Sequence, residues 1–200
     1  MDVIFKSIYA RACMGAGLAV LTGLRAFLPI SFLALYSRLA FASSPHLSDT
    51  AFSFIEKTWV IILLFVLAVA EIIIDKLPRF AIRRDQIMQP VKIVLGGMVF
   101  AAVMAPSGWI TMAVCGVLGM AIAGLADHVR SSMTPDSSRT ETTSLVFLSI
   151  YQDLAVLIGT LLFVLVPLIG ALMALFLLLM VYRIQQRRKR KHKGLRILRG

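Results

Sequence analysis

The sequence predicts an all-α fold, a polytopic transmembrane helix bundle of about six spans, and three observations predict it. Hydrophobic residues fill 59% of the 200 positions and mean hydropathy is +0.87, far above what a water-soluble domain carries. The apolar residues gather in four long runs, and a hydrocarbon core takes roughly 20 helical residues per crossing. The formal net charge of +11 is concentrated at one end, where Arg183 to Gly200 holds nine Lys or Arg residues and no acid.

The first run, 12–37, is charged only at Arg25 and reads as one tilted or kinked span. Lys6 and Arg11 precede it and Ala40-Phe41-Ala42 resembles a cleavage site, but the run is too long for a signal-peptide core and contains Arg25. The second run, 58–75, carries Glu71 and ends at Asp75-Lys76-Leu77-Pro78. Residues 93–126 are uncharged and too long for one span at about 1.5 Å per residue. Pro106-Ser107-Gly108 supplies a turn there, giving spans near 90–105 and 109–126. The last run divides in the same way at Pro167 into spans near 145–164 and 167–182, followed by the basic tail 183–200.

Charge asymmetry sets an expected orientation. Short loops rich in Lys and Arg stay in the cytoplasm, and the loops with Lys76, Arg79, Arg83, Arg84 and Lys92, with Arg130 and Arg139, and the tail all fit that side if there are six spans. This predicts a multi-pass protein of the inner (cytoplasmic) membrane with both termini cytoplasmic, and with 38–57 and the two proline turns outside. A weak internal match supports a 3+3 plan: Gly15, Gly23 and Leu24 recur as Gly116, Gly124 and Leu125 at an offset of 101. Three spans per half would make it an inverted repeat, as in many secondary transporters.

The charges inside the runs are the candidate ion or solute pathway. Arg25 sits at the centre of its run, where a charge costs about 2.5 to 3.5 kcal/mol and requires protein or water around it. Gly23 and Pro29 on either side favour a local helix break. Glu71 and Asp75 share a helix face at i, i+4, where like charges need a cation between them. Arg25 and Glu71, each alone in its run, are expected to pair. Asp127, His128 and Arg130 open the polar loop after the fourth span, and Ser138 with Glu141 matches a helix capping box. Ser149, Asp153 and Thr160 lie on one helical face, which turns Asp153 inward.

Enzyme chemistry finds no support. There is no phosphate-binding glycine loop, H-E-x-x-H, CxxC or nucleophile elbow, so no catalytic residue, metal or cofactor is expected. Cys13 and Cys115 lie in apolar runs and read as small hydrophobes. Clustered glycines such as Gly15, Gly17, Gly116, Gly119 and Gly124 read as close-packing surfaces between helices. Arg187, Arg188, Lys189, Arg190 and Lys191 follow a span directly, so their expected partner is anionic lipid headgroups rather than nucleic acid.

The motifs Gly23-Leu24-Arg25-Ala26-Phe27-Leu28-Pro29 and Glu71-x-x-x-Asp75-Lys76-Leu77-Pro78, with the glycine-rich fourth span and the acid of the fifth, resemble a bacterial membrane family known as domain of unknown function 4126. The resemblance covers roughly 12–165 and implies a multi-span membrane protein without assigning an activity. Two functions follow from the residues: a small transporter or channel for an ion or solute, or a non-catalytic membrane scaffold or lipid-interaction protein. Self-association as a homo-oligomer is compatible with either.

Overall fold

The computed structural model describes the backbone of residues 8–40, 45, 47–48, 50–75, 81–133 and 142–197; the side chains of 75, 81–86, 133, 142–148 and 187–197 lie outside the description, as do all other residues. Among the described residues the chain forms seven α-helices and no strand, so the all-α bundle is what forms. They are α1 (Ile8–Leu24), α2 (Leu28–Arg38), α3 (Thr58–Asp75), α4 (Ala81–Met104), α5 (Trp109–Met133), α6 (Thr142–Leu165) and α7 (Pro167–Ile197). Three stretches, Ile87–Ser107, Trp109–Ser132 and Pro167–Gln186, are long and apolar enough to cross a membrane, and Ile8–Leu24, Thr58–Ile74 and Ser149–Leu165 are shorter apolar helices. Large side chains such as Val66, Val117, Leu157 and Leu179 stand exposed on the outer faces, as lipid-facing positions do.

Helix α1 is the centre of the bundle, and glycines let its neighbours approach. A Cβ placed on Gly170 would lie 2.3 Å from the Cys13 carbonyl oxygen, and one on Gly23 would lie 2.5 Å from that of Ala123. The close approaches fix helix directions. Gly15 lies under Phe100, and Arg11 Nη1 donates to Ser107 Oγ at 3.4 Å, so α4 runs antiparallel to α1. Gly17 meets Phe163 and Leu21 meets Gly159, so α6 is antiparallel as well. Gly170 sits beside Cys13 while Val20 and Leu177 share one apolar cluster, so α7 runs parallel to α1. Helix α5 is also parallel to it, because α1 begins beside the Ser107 turn and Gly23 ends among Ala123 and Ala126.

The first apolar run is not the single span expected for 12–37. Helix α1 stops at Leu24, and α2 starts at Leu28 with Pro29 in its first turn, where a missing N–H costs nothing. One buried cluster joins Met14, Leu18 and Leu21 of α1 to Ile30, Leu33 and Ala34 of α2, and includes Val99, Ala102 and Val103 of α4 and Phe163 and Val164 of α6. Those α4 and α6 residues lie toward the Ser107 and Pro167 turns, so α2 turns back beside α1. Helix α3 then runs antiparallel to α2: Arg38 bonds Thr58, Phe32 packs edge-on to Phe65, and Glu71 reaches Ala26. A straight continuation would instead set the exposed apolar face of α3, including Ile62, Val66 and Ile73, level with Arg130 and the basic tail. Folding back keeps that face level with the apolar faces of α6 and α7.

Three expectations change as a result. Seven helices of alternating direction put the start of α1 and the end of α7 at opposite ends of the bundle, where six spans would have set them at the same end. Helices α1 and α5, which carry the offset-101 match, run parallel, whereas an inverted repeat requires them to oppose. The boundaries move too: α4 begins at Ala81 and contains Pro90, and α7 continues through 182 to Ile197, so the tail extends the last helix. The two helical hairpins at Pro106 and Pro167 form where expected, as α4–α5 and α6–α7.

Candidate functional site

At the end of the bundle from which the basic tail extends, the α1–α2 turn exposes backbone groups that the helices themselves do not satisfy. Arg25 N still donates to Leu21 O at 2.9 Å, closing α1. Ala26 and Phe27 stand at the head of α2, where helix N–H groups have no partner within the helix. Glu71 of α3 supplies it: Oε1 accepts from Ala26 N at 2.9 Å and Oε2 from Phe27 N at 3.0 Å. A carboxylate there also meets the positive end of the α2 dipole. Glu71 is buried, so this cap is made away from bulk water.

Arg25 points to α6 instead. Its Nε lies 2.7 Å from Asp153 Oδ1, and its Nη2 donates to Ser149 Oγ at 2.8 Å and to Ser149 O at 3.3 Å. The expected Arg25–Glu71 ion pair is therefore corrected: the partner of Arg25 is Asp153. The physical reason is competition, because two backbone donors and a helix end claim the Glu71 carboxylate. Arg25 and Glu71 still interact electrostatically across the turn.

A second ion pair adjoins the first. Lys92 Nζ of α4 donates to Asp127 Oδ1 of α5 at 2.8 Å, and Arg130 Nη2 lies 3.4 Å from the same oxygen. Arg130 is felt by both Arg25 and Lys92, and Glu71 is felt by both as well, so the six residues form one electrostatic unit. It holds three cations and three carboxylates drawn from the α1–α2 turn and helices α3 to α6. Arg25, Glu71, Lys92 and Asp127 are buried, with relative exposures of 2%, 4%, 4% and 6%. Pairing explains how such a cluster persists: a buried charge without a partner costs several kcal/mol. Asp153 lies near the middle of α6, and toward Pro167 the buried core holds Val156, Phe163, Val164, Leu18 and Met14.

The structure thus brings together Arg25, Glu71, Asp127, Arg130 and Asp153 from the sequence candidates. His128 is exposed, and its carbonyl accepts from Ser131 and Ser132 Oγ. The side chains of Asp75 and of Arg187, Arg188, Lys189, Arg190 and Lys191 lie outside the described residues, as does the Ser138–Glu141 capping box. Lys92 is the member that sequence reasoning missed, since it read as one more basic loop residue. Its phase carried the signal: Lys92, Gly96, Val99 and Val103 recur at helical spacing, and all four are buried. Ser149 and Thr160 are buried on the inward face with Asp153, and Thr160 Oγ1 donates to Val156 O at 2.7 Å.

A helical bundle with membrane-length apolar helices and a buried charge network at a helix break is the class of protein these features define. The chain belongs to the family described as Domain of unknown function (DUF4126), whose model matches residues 12–187. The match runs into α7, past the limit near residue 165 that the motifs alone supported. No curated protein and no solved structure matches the chain.

Proposed function

We propose that this chain is a small, non-enzymatic membrane transport protein in which the six-residue network and the α1–α2 break handle an ion or small solute. The observation that carries the reading is that two acids from separate helices, Glu71 and Asp153, converge on one helix break, the arrangement by which discontinuous helices form ion and substrate sites within membranes. A balanced network also responds to a single added or lost charge, because any such change leaves a buried partner uncompensated. We place the bundle in the cytoplasmic membrane with its basic end inside and the start of α1 outside, following the bias of short basic loops.

A second reading, a membrane scaffold or lipid-interaction protein, is favoured by the apolar core beyond Asp153, which closes the network toward the opposite end. Reconstituted vesicles separate the two. We expect the wild-type chain to dissipate an imposed proton gradient, and Glu71→Gln and Asp153→Asn, checked as folded by gel filtration, to lose that flux. Wild-type flux no greater than that of both variants or of empty vesicles sinks the transport reading and leaves the scaffold.

A further inference from the structure

Beside Arg130 lies a crevice of about 240 Å³ among α1, α5, α6 and α7. Its walls are apolar, formed by Leu24, Val129, Ala155, Met173 and Leu177, and its polar lining comes from Arg130 and Gln152. The rim carries Tyr151 and Phe176, which are 71% and 57% exposed, and the neighbouring outward positions are Leu154, Leu172 and Leu179. The mouth therefore opens on a lipid-facing surface, where a water-soluble ligand has no approach. Met180 also lines the crevice, and the exposed Arg183 follows it three residues on, about 4.5 Å along the helix axis.

We propose that this crevice binds an anionic phospholipid, one acyl chain lying against its apolar wall and the phosphate held at its polar end between Arg130 and Arg183. Charge complementarity selects the headgroup. Arg183 to Gly200 holds nine Lys or Arg residues and no acid, positive charge that a zwitterionic lipid leaves unmatched. A guanidinium offers five N–H groups, enough to serve several acceptors at once, and Asp127 meets Arg130 at Nη2. The crevice size selects a chain segment rather than a whole lipid, which leaves the remaining chain in the bilayer. The site would hold whether or not the protein transports anything, and it joins lipid composition to the network through Arg130.

The test uses the full chain in dodecyl maltoside, read by thermal stability and by lipid retention in native mass spectrometry. Dioleoyl phosphatidylglycerol should stabilise the protein and stay bound, dioleoyl phosphatidylcholine should do so less, and soluble glycerol phosphate should do neither. Ala155→Phe, which fills the crevice while leaving every basic residue in place, should abolish the phosphatidylglycerol effect; Met173→Phe narrows it from the other wall if that variant fails to fold. Arg130→Gln should lower the preference for phosphatidylglycerol over phosphatidylcholine about fivefold, the equivalent of about 1 kcal/mol for one basic residue at a charged surface. Undiminished phosphatidylglycerol binding in the folded crevice variants would assign the lipid to the basic tail and overturn the site. Equal binding of the two lipids, or stabilisation by glycerol phosphate alone, would overturn it as well.

Discussion

The chain interrupts its helices at two kinds of place, and they are satisfied in opposite ways. At Pro167 the break between α6 and α7 is closed by neighbours in sequence: Val166 N donates to Leu162 O at 2.7 Å and Ile169 N to Val166 O at 3.1 Å. The turn at Pro106 is equally local, with Gly108 N reaching Ala105 O and Met112 N reaching Gly108 O. At Ala26 and Phe27 the backbone donors go to Glu71, on another helix. A locally closed turn asks nothing of the rest of the fold. One closed by a distant buried carboxylate exists only when α3 is docked, and it brings a charge into the core that must then be matched.

The contrast breaks most sharply at Arg25. Replacing it with Leu removes the closest described cation from Asp153, so Arg25→Leu is expected to lose about 3 to 5 kcal/mol, with Asp153→Leu losing a comparable amount and the double variant less than their sum. Unfolding in mixed micelles measures the cycle, and a coupling of about 0.5 to 3 kcal/mol identifies a true pair. The same cycle on Arg25 and Glu71 should show weaker coupling. Equal coupling in both would return Glu71 to the role of direct partner.

Glu71→Gln is the finer probe, because it keeps one acceptor oxygen and turns an amide toward the second backbone donor. A loss of about 1 to 3 kcal/mol is expected for the orphaned N–H. Hydrogen exchange should quicken at Ala26 and Phe27 and stay unchanged at Val166 and Ile169. Uniform quickening at all four would show that the two breaks belong to one cooperative unit, and the comparison would fail.

The smallest effect is expected at the other break. Pro167→Ala keeps the local hydrogen bonds and mainly frees the unfolded chain, so it should cost about 0.4 to 1 kcal/mol. Stability in the same micelles checks it. A loss as large as that of Glu71→Gln would mean that the α6–α7 turn, too, depends on tertiary contacts.

How much of this was legible in the sequence differs by scale. The all-α class, the hairpins at Pro106 and Pro167, and the inward phase of Ser149, Asp153 and Thr160 follow from run length, turn residues and helical spacing, which are local properties of the chain. The break near Arg25 was also legible, since Gly23 and Pro29 flank it. Its sharpness was not: a kinked span and a full reversal have the same composition, and only the buried cluster that α2 shares with Val99, Val103 and Val164 separates them. That one reversal changed the parity of the helices, and with it the relation between α1 and α5.

Pairing was decided at the same level. The sequence by itself determined that Arg25 and Glu71 each needed a partner, because a lone charge among apolar residues carries a penalty wherever it lies. Only the tertiary structure decided that Glu71 would take two amide protons, that Arg25 would take Asp153, and that Lys92 would leave its basic neighbours to join Asp127. Desolvation acts on each residue separately and can be read along the chain, whereas the choice among several partners depends on distances of a few ångströms between helices far apart in sequence.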